Sequence, residues 1–313
     1  MPGTVLPENL PDAPLIPGDA PAGGRAVWVD ADDGARLRIG IWPGPRMLLL
    51  LPGRTEYIEK YGVVLDNLAR AGWGALVIDW RGQGLSSRLA ADAALGHVGA
   101  FADYQRDLTA LLALARGLSD APMPVIAHSM GGCIAFRALV NGLRPPAVAL
   151  SAPMLGLAQP AHTRWMIRAL AGTARLLRRD GGYVPSTGPE FGLPSMSFAA
   201  NPLTRDQDQF ERMKAQIRAH PALALGGPSL RWTGRALAET AALAAAPSPP
   251  VPALIGLGGN ERIVSAAAIR TRAARWHEAE LVEYPDSEHE LLMERPAVRS
   301  DFLARALALF AAV

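Results

Sequence analysis

The feature that most limits the folds open to this chain is an alternation of short apolar runs with longer amphipathic ones. Residues 47–51 read Met-Leu-Leu-Leu-Leu and stop at Pro52-Gly53. Comparable strand patterns follow at 75–78, 123–127, 147–151, 251–257 and 280–284. A strand apolar on both faces must be covered on both, which a parallel sheet between helical layers achieves. Residues 56–71, 101–118, 130–141, 266–277 and 296–310 read as the intervening helices. Two β-rich runs, 25–30 and 35–42, flank Asp33-Gly34, a hairpin signal. The expected fold is α/β, with a mostly parallel eight-stranded sheet flanked by helices.

The alternation stops after residue 155 and resumes at 251. Helical patterns at 161–179, 205–219 and 229–245 surround a Gly/Pro/Ser-rich loop at 180–202, too structured a stretch to be one connection. The expected organisation is an extended arm at 1–24, a core at 25–155 and 246–313, and a helical insertion at 156–245.

Composition excludes several classes. Half of the 313 residues are apolar and 19% are charged, a globular balance. Net charge is +2, from 31 basic and 29 acidic residues with no basic block, so no nucleic-acid partner is expected. A pI near 8.9 mildly favours anionic surfaces such as phospholipid head groups. The single cysteine, Cys133, can form neither an intrachain disulfide nor a zinc cluster, and neither metal nor cofactor is expected. The N-terminus lacks the regions of a signal peptide, and no apolar run approaches the ~18 residues of a membrane span. These features predict a soluble, cytoplasmic protein, with peripheral contact at the inner membrane left open.

The chemistry is concentrated in VIAHSMGGCIAF, residues 125–136. An apolar strand runs into Ala127-His128-Ser129-Met130-Gly131, and a helix starts at once. A nucleophile elbow needs a serine on such a turn, with small residues two before and two after it. The usual first glycine is replaced by Ala127. The turn would present Ser129 at a helix N-terminus, where the Met130 N–H can stabilise an oxyanion. A serine that merely caps the helix is the structural alternative.

With a nucleophile elbow, the other triad members follow in the order acid, then histidine. His289 lies in a loop after the final strand pattern and is the expected base. His128 is given no such role, because a side chain beside the elbow serine is expected to point away. Glu261, at the end of the strand pattern 251–257, is the expected acid, placed where doubly wound folds collect functional groups. An ion pair with Arg262 is the structural alternative for Glu261. Asp286 is the rival acid but lies only three residues before His289. Glu288 and Glu290 are expected to face solvent. The second oxyanion donor is expected to be the Arg54 N–H, beside Gly53 in the loop after 47–51. Asp79 and Arg81, in the turn Asp79 to Ser86, read as structural.

Taken together these residues resemble the serine-aminopeptidase-like branch of the α/β-hydrolases that contains monoacylglycerol lipases, and within it the bacterial lysophospholipases. The matching segments are Leu51-Pro52-Gly53-Arg54, 56–61, 79–86, His128-Ser129-Met130-Gly131-Gly132, Asn201-Pro202-Leu203-Thr204, Gly226-Gly227-Pro228 and His289-Glu290. The resemblance implies an α/β-hydrolase fold whose insertion caps the cleft. It implies catalysis by Ser129 and His289, with Arg54 and Met130 as oxyanion donors. Most relatives carry Asp where this chain has Glu261, although Glu resembles the lysophospholipase subgroup. The implied substrate is a small ester or lysolipid, and Phe191, Met196, Phe198 and Trp232 are candidates for an acyl pocket or for packed core. A short-chain carboxylesterase and a non-catalytic ligand-binding member of the fold are the competing readings.

Overall fold

The computed structural model describes residues 10–313. Among the described residues, nine strands form one sheet: β1 (Asp12–Ala13), β2 (Arg25–Asp30), β3 (Arg36–Trp42), β4 (Arg46–Leu51), β5 (Trp73–Asp79), β6 (Val125–His128), β7 (Val148–Ser151), β8 (Ala253–Gly258) and β9 (Ala279–Tyr284). Their order is β1-β2-β3-β5-β4-β6-β7-β8-β9. Pairing is antiparallel from β1 to β5 and parallel from β5 through β4 to β9.

The apolar runs are explained by burial on both faces. Leu49 and Leu51 of β4 pack into one core cluster, and Leu48 and Leu50 into the other. Leu76 and Ile78 of β5 separate from Ala75 and Val77 in the same way. Because successive side chains of a strand point to opposite faces, a strand between two helical layers has no polar position left.

The sheet has nine strands where eight were expected. The extra one comes from the arm, where Asp12 and Ala13 pair with Val27 and Ala26. Two residues between Pro11 and Pro14 offer no periodicity to read. Residues 1–9 of the expected arm lie outside the described residues.

The helices are α1 (Gly62–Arg70), α2 (Asp103–Leu118), α3 (Met130–Val140), α4 (Ala161–Leu176), α5 (Gln207–Ala219), α6 (Leu230–Ala245), α7 (Ala266–Arg275) and α8 (Pro296–Ala311). The pattern expected to be one helix at 56–71 starts later, as a 3-10 turn at Ile58–Tyr61. There the Asp79 carboxylate accepts from the Ile58 N–H at 2.9 Å. Between β7 and β8 the chain leaves the sheet to form α4, α5 and α6. Asp206 and Ser229 cap the last two by accepting from the N–H groups of Gln209 and Trp232. Helix α4 ends earlier than expected, and Arg178 just beyond it takes a left-handed backbone, φ 56°.

Candidate active site

Ser129 sits between β6 and α3 with φ 49° and ψ −114°, a conformation an L-residue adopts only under constraint. The constraint is visible around it. The Ser129 N–H donates to Ser151 O at 3.0 Å, and its carbonyl accepts from Met154 N at 2.9 Å and Cys133 N at 3.1 Å. A Cβ on Gly131 would lie 2.2 Å from the Leu51 carbonyl oxygen, so only glycine lets α3 approach the end of β4. Ala127 pairs with Leu51 and Leu150 on either side, and its methyl group fits without exposure.

From Ser129 a line of hydrogen bonds runs through His289 to Glu261. The Ser129 Oγ lies 3.0 Å from His289 Nε2, and His289 Nδ1 lies 2.7 Å from Glu261 Oε2. The other Glu261 oxygen accepts from the N–H groups of Ile263 at 2.7 Å and Val264 at 3.0 Å. Burial favours the protonated form of Glu261, but the His289 hydrogen bond and these backbone donors outweigh it and hold the carboxyl below its ordinary value. Asp286, the rival acid, is exposed and meets Arg295 only through its carbonyl. Arg262 does not pair with Glu261; its guanidinium lies 2.9 Å from Glu288.

Glu288 and Glu290 correct the expectation of solvent exposure, for both are buried. The Glu290 Oε1 lies 2.6 Å from Lys60 Nζ, which also lies 2.6 Å from Glu56 Oε1. The second Glu56 oxygen accepts from the Gly53 N–H and from Tyr61 Oη. This buried network therefore runs from the residue before Arg54 to the residue after His289. Burial opposes the Lys60 charge, but the Glu290 and Glu56 carboxylates outweigh it and raise its pKa. Burial pushes the Glu290 carboxyl up, and Glu56 adds to the effect. Glu56, His128 and Glu290 have the spacing of metal ligands, yet the Lys60 ammonium already bonds both carboxylates and supplies the positive charge there.

His128 does not point away as expected. Its ring centre lies 4.7 Å from that of His289, and Nδ1 meets Ser151 O and Oγ, each at 3.1 Å. Burial lowers its pKa to about 3, so it is a neutral wall of the site.

The Arg54 loop is clamped from the Asp79 to Ser86 turn. Gln83 Nε2 donates to Gly53 O at 2.7 Å, and its oxygen accepts from Thr55 N at 3.3 Å. With Gly53 N and Thr55 N engaged, the intervening Arg54 N–H has no protein acceptor among the described residues. Met130 opens α3, where helical N–H groups lack intrahelical carbonyls. Asp79 and Arg81 are structural as expected, Asp79 pairing with Arg38 and Arg81 with Asp107 and Asp33.

The segment between β7 and β8 reaches the site through two motifs. His289 N donates to Pro202 O at 3.3 Å and Glu290 N to Leu203 O at 2.8 Å. Arg54 Nη2 donates to Gly226 O at 3.0 Å, and its guanidinium lies 5.0 Å from the Trp232 ring centre. The four candidate pocket residues do not share one cluster. Trp232 is buried with Phe101 and Tyr104, whereas Phe191, Met196 and Phe198 are half-buried against the opposite core.

Sheet topology and the strand–serine–helix turn define an α/β-hydrolase. Comparison with known proteins narrows this: the serine aminopeptidase S33 family (Hydrolase_4) matches residues 45–296, and the chain belongs to that family. It is 34% identical over 271 residues to lysophospholipase L2 of Escherichia coli (strain K12), covering 82% of this chain and 77% of that one. A probable lysophospholipase L2 of Haemophilus influenzae is 27% identical over 263 residues, covering 82% and 81%. Among solved structures, a soluble variant of monoglyceride lipase from Saccharomyces cerevisiae superposes with a TM-score of 0.72 at 19% identity, covering 96% of this chain and 100% of that one.

Proposed function

We propose that this protein hydrolyses carboxylic esters of the lysophospholipid or monoacylglycerol type through Ser129, His289 and Glu261. The observation that carries the reading is the continuous succession of hydrogen bonds, 3.0 Å from Ser129 to His289 and 2.7 Å onward to Glu261. Ser129 Oγ attacks the ester carbonyl as its proton passes to His289 Nε2. Glu261 holds the Nδ1–H tautomer and stabilises the imidazolium. The carbonyl oxygen, now anionic, is received by the N–H groups of Arg54 and Met130. The alcohol leaves with the proton from His289, and water, deprotonated by the same imidazole, releases the acid.

Residues 156–245 act in this reading as a cap on a core of 25–155 and 246–313. Two ties support it: the Pro202 and Leu203 carbonyls that hold the His289 loop, and the Gly226 carbonyl that holds Arg54. Phe191, Met196, Phe198 and Trp232 would then contact the acyl chain from the cap side. The lipid substrate rests on the relatives, one a lysophospholipase and one a monoglyceride lipase.

A panel of lysophospholipid, monoacylglycerol and p-nitrophenyl esters of graded chain length tests the reading. Turnover of the long-chain lipids, lost in Ser129→Ala, is expected. Activity confined to short esters would assign a carboxylesterase instead.

A further inference from the structure

Arg54 enters the proposed chemistry through its backbone N–H alone, which leaves its side chain without a role. The loop that carries it runs against the nucleophile: a Cβ added to Gly53 would lie 3.1 Å from Ser129 Cβ. From that loop the side chain extends to residues 226–232. There Nη2 donates to Gly226 O at 3.0 Å, and the guanidinium lies over the Trp232 ring, 5.0 Å from its centre. Gly96 makes the recess that holds it, since a Cβ there would come within 2.1 Å of Nη2.

The surrounding protein does not balance this charge. The buried guanidinium of Arg38 meets Glu59 and Asp79, and that of Arg81 meets Asp107 and Asp33. Among the described residues no carboxylate pairs with Arg54, and its Nε is enclosed without an acceptor. Burial pushes its pKa down to about 10, and the group stays cationic at neutral pH. A cation shut away with one carbonyl and one aromatic ring for company is costly. An anion brought in by the substrate would offset that cost.

The position of the side chain selects the anion. In a lysophospholipid the ester and the phosphate stand at opposite ends of one glycerol unit, a span close to that of an extended arginine side chain. A carbonyl oxygen received by the Arg54 N–H therefore brings the phosphate within reach of the Arg54 guanidinium. The planar N–H fork matches phosphate oxygens, and such charge-assisted bonds are strong where water is excluded. A monoacylglycerol offers only a hydroxyl at that place, which leaves the cation uncompensated.

We propose that the Arg54 guanidinium binds the phosphodiester of a lysophospholipid whose ester carbonyl lies at the Arg54 N–H, so that one residue contacts both ends of the glycerol unit. The inference rests on the ester-hydrolase reading for the place of the carbonyl. It makes Arg54 the residue that separates lysophospholipids from monoacylglycerols.

The test is kcat/KM for a lysophosphatidylcholine and a monoacylglycerol of the same acyl chain, measured on monomeric substrate. The wild type should favour the lysophospholipid, and Arg54→Gln should reduce that ratio by roughly tenfold or more. Arg54→Lys should keep part of the preference, because it retains the charge without the fork. A side chain that merely anchors its loop to Gly226 would slow both substrates alike. An unchanged ratio in Arg54→Gln would thus overturn the proposal, as would a wild type that prefers the monoacylglycerol. Octyl ethers of glycerophosphocholine and of glycerol, which no esterase cleaves, separate this inference from the hydrolytic one. In calorimetric titrations the wild type should bind the phosphate-bearing ether more tightly, by a margin that Arg54→Gln abolishes. Equal binding of the two ethers would contradict the phosphate contact. Preferential binding by a protein that cleaves no ester would support the contact and refute only the reaction.

Discussion

Lys60 and Glu290 form a buried ion pair, 2.6 Å long, between residues 230 positions apart in the chain. Through Glu56, which bonds both Lys60 and the Gly53 N–H, the pair ties the Arg54 loop to the residue that follows His289. Removing the ammonium would leave two carboxylates buried without compensation. Lys60→Met should therefore cost about 3–5 kcal/mol in denaturant unfolding, the scale for breaking a buried pair from one side. Adding Glu290→Gln should recover part of the loss, because one of the stranded charges is then gone. Equal stability of the wild type and Lys60→Met would show that the network contributes nothing.

The elbow makes a steric prediction. Gly131→Ala places a methyl group against the Leu51 carbonyl, and overpacking of this kind typically costs about 1–3 kcal/mol. At Ser129 the order is reversed. Its φ of 49° and ψ of −114° suit glycine, so Ser129→Gly should be more stable than Ser129→Ala by about 1 kcal/mol. Thermal melts of the three variants check both statements.

Glu261→Gln keeps the shape of the acid and removes its charge. The proposed role predicts a fall in kcat on the order of 10⁴-fold with little change in KM. The pH dependence of stability should change as well. Because the folded state holds the Glu261 carboxyl below its ordinary value of 4.5, its stabilising contribution is full above that value. The contribution is lost as pH falls through the depressed one. The Gln variant should lack that component of the acid-side decline in unfolding curves recorded across this range.

His128 and His289 are neighbouring imidazoles with different expected roles. Burial lowers the His128 pKa from 6.5 to about 3, so the unfolded chain binds the extra proton first and stability falls as pH drops through this window. His128→Asn should shallow that fall and retain ester hydrolysis, whereas His289→Ala should abolish turnover. Loss of turnover in both would give His128 a part in the chemistry.

Much of this arrangement is legible in the sequence because it is local. The apolar strands β4 to β8 announce burial on both faces, and the elbow is carried by five adjacent residues. What escapes is set by partners distant in the chain. Glu290 beside a histidine reads as a surface residue until Lys60 is brought to it, and the His128 side chain is fixed by Ser151 on the neighbouring strand. Strand β1 is too short to have a period. The helical pattern at 161–179 is visible, but which residues it turns inward depends on its packing against α6, where Ala171 meets Gly234.

The central claim is that Ser129 is the nucleophile, and labelling with a fluorophosphonate followed by peptide mass spectrometry tests it most directly. The account predicts one adduct, on the peptide carrying Ser129, absent in Ser129→Ala and strongly slowed in His289→Ala. An unlabelled protein, or an adduct on another residue that persists in Ser129→Ala, would contradict it.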